Sequence, residues 1–383
     1  MTIIHNDAEV VRELTATYAE IRRQPRMWHE TAEALRARRD EVAAFLAPRL
    51  ADPSLRIVLT GAGTSAFAGD VIAPALRTVL ARRVDAVATT DIVASPGTVF
   101  AEDLPTLLIS FARSGNSPES AAATELADRF LTDVSHVVIT CDLSGDLARA
   151  HADTATSLVV GMPEETNDSG FAMTSSFTSM VLACLLLFEE ERDGVVDALA
   201  DEAERLFALD DRIGALLDRR IERVVYLGAG SLTGLARESA LKLLELTAGT
   251  VVGLFDSPLG FRHGPKAVVD DTTLVVVYRS ADAYTARYDD DIVTELQGVA
   301  PGRVVRVGGA GEGSATDYPL PGVDGLPDAY RGLTAVVFAQ LLALHASVKA
   351  GCTPDNPFPG GTVNRVVQGV TVYPHPRSED SAR

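Results

Sequence analysis

The sequence repeats itself at a fixed spacing, and this repeat limits the chain to a fold built from two similar halves. The segment Arg56-Ile-Val-Leu-Thr-Gly-Ala-Gly63 returns 167 residues later as Arg223-Val-Val-Tyr-Leu-Gly-Ala-Gly230. Several matches at one offset indicate an internal duplication of one structural unit. Two further apolar runs repeat at this offset, Thr106 with Thr273 and Val137 with Val304.

Each half alternates short β-branched runs with helical stretches. The runs Arg56 to Thr60, Thr106 to Ser110 and His136 to Thr140 are almost continuously apolar. Strands that are apolar on both faces are typical of a parallel sheet that helices cover on both sides. We therefore predict an α/β fold with two tandem units.

The first fifty residues are predicted to form two helices, Ala8 to Arg22 and Trp28 to Leu50, because Gln24-Pro25 interrupts the helical pattern. An acidic helical stretch connects the two α/β units, and a polar tail ends the chain. The expected divisions are a helical segment 1–50, a first domain 51–192, a connecting helix 193–220, a second domain 221–374 and a tail 375–383.

The sequence has 34 basic and 53 acidic residues, a formal charge of −19. Such a chain repels phosphate backbones and anionic lipids, so we expect neither a nucleic-acid partner nor a membrane. The longest apolar run, Met180 to Phe188, is too short to span a bilayer, and no signal-peptide pattern opens the sequence. The three cysteines lie far apart without CxxC spacing, which argues against a disulfide framework: Cys141, Cys184 and Cys352. We therefore expect a cytoplasmic protein in a reducing compartment.

Two loops that follow strands are rich in small hydroxyl residues. The first is Gly61 to Ser65, and the second is Ala112 to Glu119, which includes Arg113 and ends with Ser117 before Pro118 at a helix start. Both loops lie at the carboxyl edge of a parallel sheet, where ligands bind, and a helix N-terminus attracts phosphate. Taken separately, each loop could be only a turn and a cap; together they favour a phosphomonoester site. The dinucleotide pattern GxGxxG and the Walker pattern are absent.

The second half carries candidate groups for proton transfer. Glu238, Lys242 and Glu245 share one helix face, and we expect Leu241 and Leu244 to face the core. The simpler alternative is an exposed Glu–Lys pair. A loop histidine, His263, follows the next apolar run, and a histidine with a carboxylate in one pocket is what sugar ring opening and proton transfer between C1 and C2 require.

A polar loop from Pro163 to Gly170 is either a surface loop or a set of ligands for sugar hydroxyls and an amino group. Metal sites are not expected, because the seven histidines are scattered without HExxH spacing. The GxSxG pattern of serine hydrolases is also absent.

Taken together, these segments resemble the sugar isomerase (SIS) superfamily in duplicated form, over about residues 16 to 374. Longer strings resemble one branch, the galactosamine-6-phosphate deaminase/isomerases, formerly named tagatose-6-phosphate ketose/aldose isomerases. The resemblance implies two three-layer αβα SIS domains with parallel five-stranded sheets in flavodoxin-like order. The strings of the branch are Ile21-Arg-Arg-Gln-Pro25, Pro163-Glu-Glu-Thr-Asn-Asp168, Phe171-Ala-Met-Thr-Ser-Ser-Phe-Thr178, Ser257-Pro-Leu-Gly-Phe-Arg-His-Gly-Pro265 and Thr362-Val-Asn-Arg-Val-Val-Gln368.

By similarity to the isomerase domain of glucosamine-6-phosphate synthase, Glu245 is the implied base between C2 and C1, and His263 the implied acid/base for ring opening. Lys242 and Glu238 would orient Glu245. The histidine would come from a neighbouring subunit, which implies a homodimer with shared sites. Where the synthase has a C-terminal lysine, this chain has Arg365, which cannot readily form an imine. The implied substrate-binding residues are Gly63, Thr64, Ser65, Arg113, Ser114, Asn116, Ser117 and Arg365.

The resemblance implies that galactosamine 6-phosphate and water give tagatose 6-phosphate and ammonia. No metal or organic cofactor is expected, because the C1 carbonyl itself acidifies the C2 proton. A plain aldose–ketose isomerase of hexose 6-phosphates is the first alternative, and a sugar-phosphate sensor is the second. The charge and the absence of a basic helix-turn-helix segment disfavour the sensor.

Overall fold

A computed structural model of the chain describes residues 12–189, 193–309, 314–367 and 369–376. The start of the predicted first helix and the predicted tail beyond residue 376 lie outside the described residues.

The two halves of the chain form two parallel five-stranded sheets with the same strand order, which confirms the predicted duplication. The first sheet is ordered β2-β1-β3-β4-β5 and the second β10-β9-β8-β6-β7, so each has the flavodoxin-like order 2-1-3-4-5. The strands are β1 Arg56–Thr60, β2 Val84–Ala86, β3 Thr106–Ala112, β4 Val134–Thr140, β5 Ser157–Gly161, β6 Arg223–Leu227, β7 Val252–Asp256, β8 Thr273–Tyr278, β9 Val304–Val307 and β10 Asp317–Tyr318.

Helices cover the sheets and join them through one continuous hydrophobic core. Short 3₁₀ turns lie at Glu164–Thr166, Pro265–Val268 and Pro321–Val323. The α-helices are α1 Ala16–Ala37, α2 Arg39–Leu50, α3 Thr64–Leu80, α4 Thr89–Ala94, α5 Pro96–Val99, α6 Pro118–Phe130, α7 Asp146–His151, α8 Ser175–Phe188, α9 Val195–Phe207, α10 Asp210–Ala215, α11 Ser231–Leu246, α12 Pro258–Phe261, α13 Thr285–Val299 and α14 Asp328–Lys349.

The strand registers repeat across the duplication, with one difference. Arg56 pairs with Thr106 and Arg223 with Thr273, as the offset of 167 predicts. The pairing of β3 with β4 differs by one residue from that of β8 with β9. Ile109 of β3 pairs with Val137 of β4. The counterpart of Ile109 in the second sheet, Val276, pairs with Val305 rather than with Val304, the counterpart of Val137.

The N-terminal helices differ from the prediction, since α1 runs through Pro25 and the break comes at Arg38. Pro25 has no N–H to donate to the carbonyl of Ile21, four residues earlier. The amide side chain of Gln24 donates to that carbonyl oxygen instead, at 3.0 Å. Pro25 itself is buried in the face that packs inward. The predicted break was therefore wrong because a neighbouring side chain satisfies the freed acceptor.

The predicted connecting helix is two helices, α9 and α10. Helix α9 packs against α1 and α14 with Leu199 and Leu206 buried, and α10 packs against α14. The long helix α14 is apolar enough to cross a membrane, but 83% of its apolar window is buried inside the protein. Long helices in the core of a protein can have the same length and hydropathy as a membrane span. Helix α14 contacts α11 along much of its length.

Candidate active site

The loop after β1 and the loop after β6 have the same backbone conformation. Gly63 and Gly230, 167 residues apart, have φ of 55° and 57° and immediately precede α3 and α11. A positive φ favours glycine, and the N–H of Thr64, the first residue of α3, has no backbone partner within the described residues. The loop after β3 also leads directly into a helix, but through an extended residue: Ser117, with φ of −72°, is the N-cap of α6 and Pro118 its first residue. The structure thus confirms the predicted loop-to-helix starts.

A cleft of about 230 Å³ lies where the loops after β1 and β3 meet α11 and the C-terminal segment 363–367. The sequence analysis assigned no site role to several residues that line it: Ser120, Phe171, Met173, Val363 and Asn364. Ser120 lies one helical turn after Ser117, a spacing that could have identified it. Most of the predicted residues line the cleft: Gly63, Thr64, Ser65, Arg113, Ser114, Ser117, Glu245 and Arg365.

One end of the cleft is suited to an anion. Arg113 is 7% exposed, and its Nη2 donates to the backbone oxygen of Arg365 at 3.0 Å. Its buried Nη1 has no hydrogen-bond partner within the described chain. Burial, reinforced by the charge of Arg365, lowers the pKa of Arg113 to about 10, so the guanidinium stays charged at neutral pH. A buried cation with a free donor beside the hydroxyls of Ser114 and Ser117 fits a phosphate dianion.

Glu245 of α11 lies at the other end, next to two buried ionisable residues of the same helix. Glu238 and Lys242 are 0% and 1% exposed, which rules out the exposed-pair alternative. Lys242 Nζ lies 2.5 Å from Glu245 Oε2, 2.9 Å from Thr64 Oγ1 and 3.5 Å from Glu238 Oε1. Glu245 keeps about a quarter of its side chain exposed, at 23%. Its Oε1 accepts no hydrogen bond from the described residues, so one carboxylate oxygen is available to a ligand in the cleft.

Burial sets the charge states of this group. It raises the pKa of Glu238 to about 8, against the opposing effect of Lys242, so that Glu238 is neutral at pH 7. Burial alone would lower the pKa of Lys242, but the nearby carboxylates outweigh this and raise it. Glu245 therefore faces a lysine whose charged form is favoured and a carboxyl group whose protonated form is favoured.

The apolar positions of α11 are not arranged as predicted. Leu244 is 40% exposed and Leu241 is half-buried, because the face with the charged residues is the one that packs against α3. The prediction that these two leucines face the core was wrong for Leu244. Leu244 lies among other exposed apolar side chains of the edge strand β7 and the turn after it, which we call the β7 surface: Leu244, Val252, Phe255 and Leu259.

Four predicted residues are not part of the cleft lining: Glu238 and Lys242, which are buried between α11 and α3, and His263 and Asn116. His263 is exposed, between α12 and the 3₁₀ turn that follows. Asn116 accepts a hydrogen bond from the backbone N–H of Asp146 at 3.0 Å and so braces the start of α7.

The polar loop from 163 to 170 supports the C-terminal segment of the site, although none of its residues lines the cleft. Asp168 is completely buried and accepts hydrogen bonds from the backbone N–H groups of Thr174 and Ser176, at 2.7 and 2.9 Å, at the start of α8. The backbone oxygen of Asp168 accepts a hydrogen bond from the guanidinium of Arg365. The loop thereby holds the C-terminal segment beside the cleft.

Comparison with known proteins gives consistent matches. The SIS domain family matches residues 49–190. A Streptomyces coelicolor protein that carries the name AgaS is 57% identical over 365 residues, covering 93% of this chain and 95% of its own. A Shewanella sp. (strain ANA-3) protein named D-galactosamine-6-phosphate deaminase AgaS is 45% identical, covering 94% and 92%. The crystal structure of a tagatose-6-phosphate ketose/aldose isomerase from Escherichia coli superposes with a TM-score of 0.87 at 41% identity, covering 95% and 98%.

Proposed function

The chain belongs to the AgaS family of SIS-domain proteins, and from this premise we propose that it converts galactosamine 6-phosphate and water to tagatose 6-phosphate and ammonia. The observation that carries the proposal is the pairing of two sites in one cleft. A buried arginine with serine hydroxyls lies at one end, and a carboxylate held by a buried lysine lies at the other. A phosphosugar has its phosphate and its reacting C1–C2 atoms at opposite ends.

In the proposed reaction, Ser65, Arg113, Ser114, Ser117 and the N–H groups at the start of α3 hold the phosphate. Gly63 shapes that turn, and Arg365 adds a second positive charge. Both cations compensate the phosphate dianion in a site partly removed from water, where such pairs are strong.

Proton transfer would proceed through Glu245. In the open-chain sugar, Glu245 removes the C2 proton, and the electrons pass toward the C1 carbonyl to give an enolamine. The proton returns to C1, and one amine proton passes to O1, which leaves a hydroxyl group at C1 and a C=N bond at C2. Water adds to this carbon, and the C–N bond breaks to release ammonia and the ketose. Lys242, which is charged, stabilises the anionic form of the base, and Glu238 is its neutral neighbour.

Ring opening is assigned to His263, although this residue lies outside the cleft of its own chain. We propose a homodimer in which His263 reaches the cleft of the partner. Its exposure, and its position after β7 and close in sequence to the β7 surface, support this arrangement, since large exposed apolar patches mark interaction sites. We also propose that residues 51–192 and 221–374 are two SIS domains, with helices over 1–50 and 193–220, and that the enzyme is cytoplasmic.

The alternative is an isomerase of hexose 6-phosphates without nitrogen chemistry, since the Escherichia coli structure is named an isomerase. The same base could move the proton between C1 and C2 of a sugar with a hydroxyl at C2. Ammonia release distinguishes the two reactions.

The direct test is ammonia release by the purified protein from galactosamine 6-phosphate and from glucosamine 6-phosphate. We expect release from the first and none after Glu245→Gln, which should retain binding of the phosphosugar. Glu125→Gln, at an exposed position of α6 away from the cleft, is the matched control. No ammonia from either sugar, with isomerisation of tagatose 6-phosphate, would favour the alternative.

A further inference from the structure

Thr64 and Ser65 are neighbours in the first turn of α3, and both line the cleft, but their hydroxyl groups have different partners. The Thr64 hydroxyl faces α11, where it accepts a hydrogen bond from Lys242 Nζ at 2.9 Å and donates to Glu238 Oε1 at 3.3 Å. The hydroxyl of Ser65 makes no hydrogen bond within the described residues.

The hydrogen-bonding capacity of Thr64 is used up by these two partners. A threonine hydroxyl has one proton to donate, and a lysine ammonium can only donate. The lysine therefore takes a lone pair of Thr64 Oγ1, and the single proton is directed to Glu238 Oε1. This oxygen also lies 3.5 Å from the Lys242 ammonium group, so it is the accepting oxygen, and a proton on the Glu238 carboxyl group belongs on Oε2. A phosphate dianion needs donors, and Thr64 has only its backbone N–H left to offer.

We infer that Thr64 is a positioning residue, whose hydroxyl holds Lys242 against Glu245 and does not bind phosphate. The resemblance implied the opposite assignment, that Thr64 is a phosphate ligand. The inference rests on the proposed function, because it concerns the proton transfer by Glu245.

The geometry explains why such a contact is needed. Lys242 lies between two carboxyl groups of its own helix, Glu238 one turn before and Glu245 one turn after. Thr64 is on the facing helix α3 and occupies the side of the ammonium group near Glu238, which leaves the 2.5 Å contact to Glu245 intact. Because Ser65 follows in the same helical turn, the phosphate end and the base are fixed at one separation.

The test compares Thr64→Val, which removes the hydroxyl at nearly constant volume, with Thr64→Ser, which keeps it, and with Ser65→Ala. Tagatose 6-phosphate is the probe: calorimetry gives its Kd, and NMR in D₂O gives the rate at which its C1 protons exchange at saturation. This exchange needs Glu245 but no nitrogen. We expect Thr64→Val to slow exchange about 100-fold, as displaced catalytic groups do, with Kd changed less than about 3-fold. Ser65→Ala should weaken binding about 10-fold or more and slow exchange less than Thr64→Val does.

Thr64→Ser should exchange within a few-fold of the wild type, and a melting temperature for each variant confirms folding; Thr64→Ala replaces Thr64→Val if the latter does not fold. If Thr64→Val weakens binding as much as Ser65→Ala does and leaves exchange at saturation unchanged, the inference is overturned. A wild-type protein that exchanges C1 protons but releases no ammonia from galactosamine 6-phosphate would overturn the deamination alone. Absence of both activities would overturn both.

Discussion

At the scale of single residues, the carboxyl group of Glu238 couples the site to the stability of the fold. Its Oε2 is buried without a hydrogen-bond partner in the described chain, and burial raises its pKa from 4.5 to about 8. The folded chain therefore retains a proton that the unfolded chain releases above pH 4.5. Stability falls with rising pH wherever the native state binds more protons. Between about pH 5 and 8, Glu238 makes the protein less stable as the pH increases.

Glu238→Gln should remove this pH dependence. Glutamine keeps an oxygen for Thr64 and cannot ionise, so the free energy of unfolding should change less between pH 5 and 8.5 than in the wild type. Urea unfolding at several pH values measures it, with the exposed Glu125→Gln as control. An unchanged slope in Glu238→Gln would mean that Glu238 is charged in the native state.

Helical spacing correctly predicted that Glu238, Lys242 and Glu245 share a face, because side chains three and four residues apart are neighbours on a helix. Spacing alone could not show which face is buried. Here α3 and α14 both pack on α11, and Leu244 remains at the surface. The depth of Glu238 and Lys242, and therefore their charge states, depends on contacts between helices that are distant in sequence.

At the scale of elements, the duplication extends to two strained helix ends. Ala81 follows α3 and Ala248 follows the capping residue of α11; both have φ of 48°, and they lie 167 residues apart. A left-handed conformation costs an L-residue about 1–2 kcal/mol. Glycine adopts it without strain, although glycine also gains more entropy on unfolding.

Ala81→Gly should therefore raise the free energy of unfolding, by about 0.5–1 kcal/mol after the entropy of the unfolded chain is subtracted. Ala81 is exposed, so no packing is lost. The control is Ala44→Gly at an exposed position inside α2, which should lower stability by about 1 kcal/mol. Urea unfolding of both variants compares them, and equal destabilisation would show that Ala81 is unstrained.

The sequence predicted three strands of each sheet and the start of α6, because each depends on a pattern within a few residues, and it predicted the duplication because these patterns recur at one offset. It failed at Pro25, where the rule that proline ends a helix considers only the backbone. The side chain of Gln24 and the burial of α1 against α8 and α9 supply what the backbone lacks.

At the scale of the whole molecule, the two units differ at the loop that follows the third strand of each. In the second unit, the loop after β8 is bonded to the chain's own carboxylates. The backbone N–H of Ser280 donates to Asp289 Oδ2 at 2.9 Å, and that of Ala281 donates to Asp328 Oδ1 at 2.8 Å. These carboxylates occupy the donors that a phosphate would use, whereas the first unit places Arg113 in an open cleft.

We therefore expect one phosphosugar per chain despite two similar domains. Calorimetric titration of tagatose 6-phosphate should give a stoichiometry of about one per protomer. Two equivalent sites per protomer would contradict the assignment of Asp289 and Asp328 as internal replacements for a ligand. The variant Arg113→Ala should abolish this single binding event, because its guanidinium is the buried cation of the open cleft.

The proposed sharing of sites between two protomers can be tested by mixing inactive variants. Glu245→Gln lacks the base and His263→Ala lacks the ring-opening group, so each homodimer should be nearly inactive. If His263 acts in the partner's cleft, a mixed dimer contains one complete site, formed by Glu245 of one chain and His263 of the other. Random reassortment of equal amounts then restores about a quarter of the wild-type sites.

If His263 acts within its own chain, both sites of a mixed dimer lack a group, and mixing restores no activity. The measurement is ammonia release before and after the two variants are unfolded together and refolded, with each variant refolded alone as the control. Recovery of activity requires a dimer, and we propose that the two protomers meet at the β7 surface. A third protein, His263→Ala with Phe255→Glu, should therefore fail to complement Glu245→Gln. Its charge on an exposed apolar residue of the edge strand would disfavour the contact between protomers. Recovery that survives Phe255→Glu would place the dimer contact on another face.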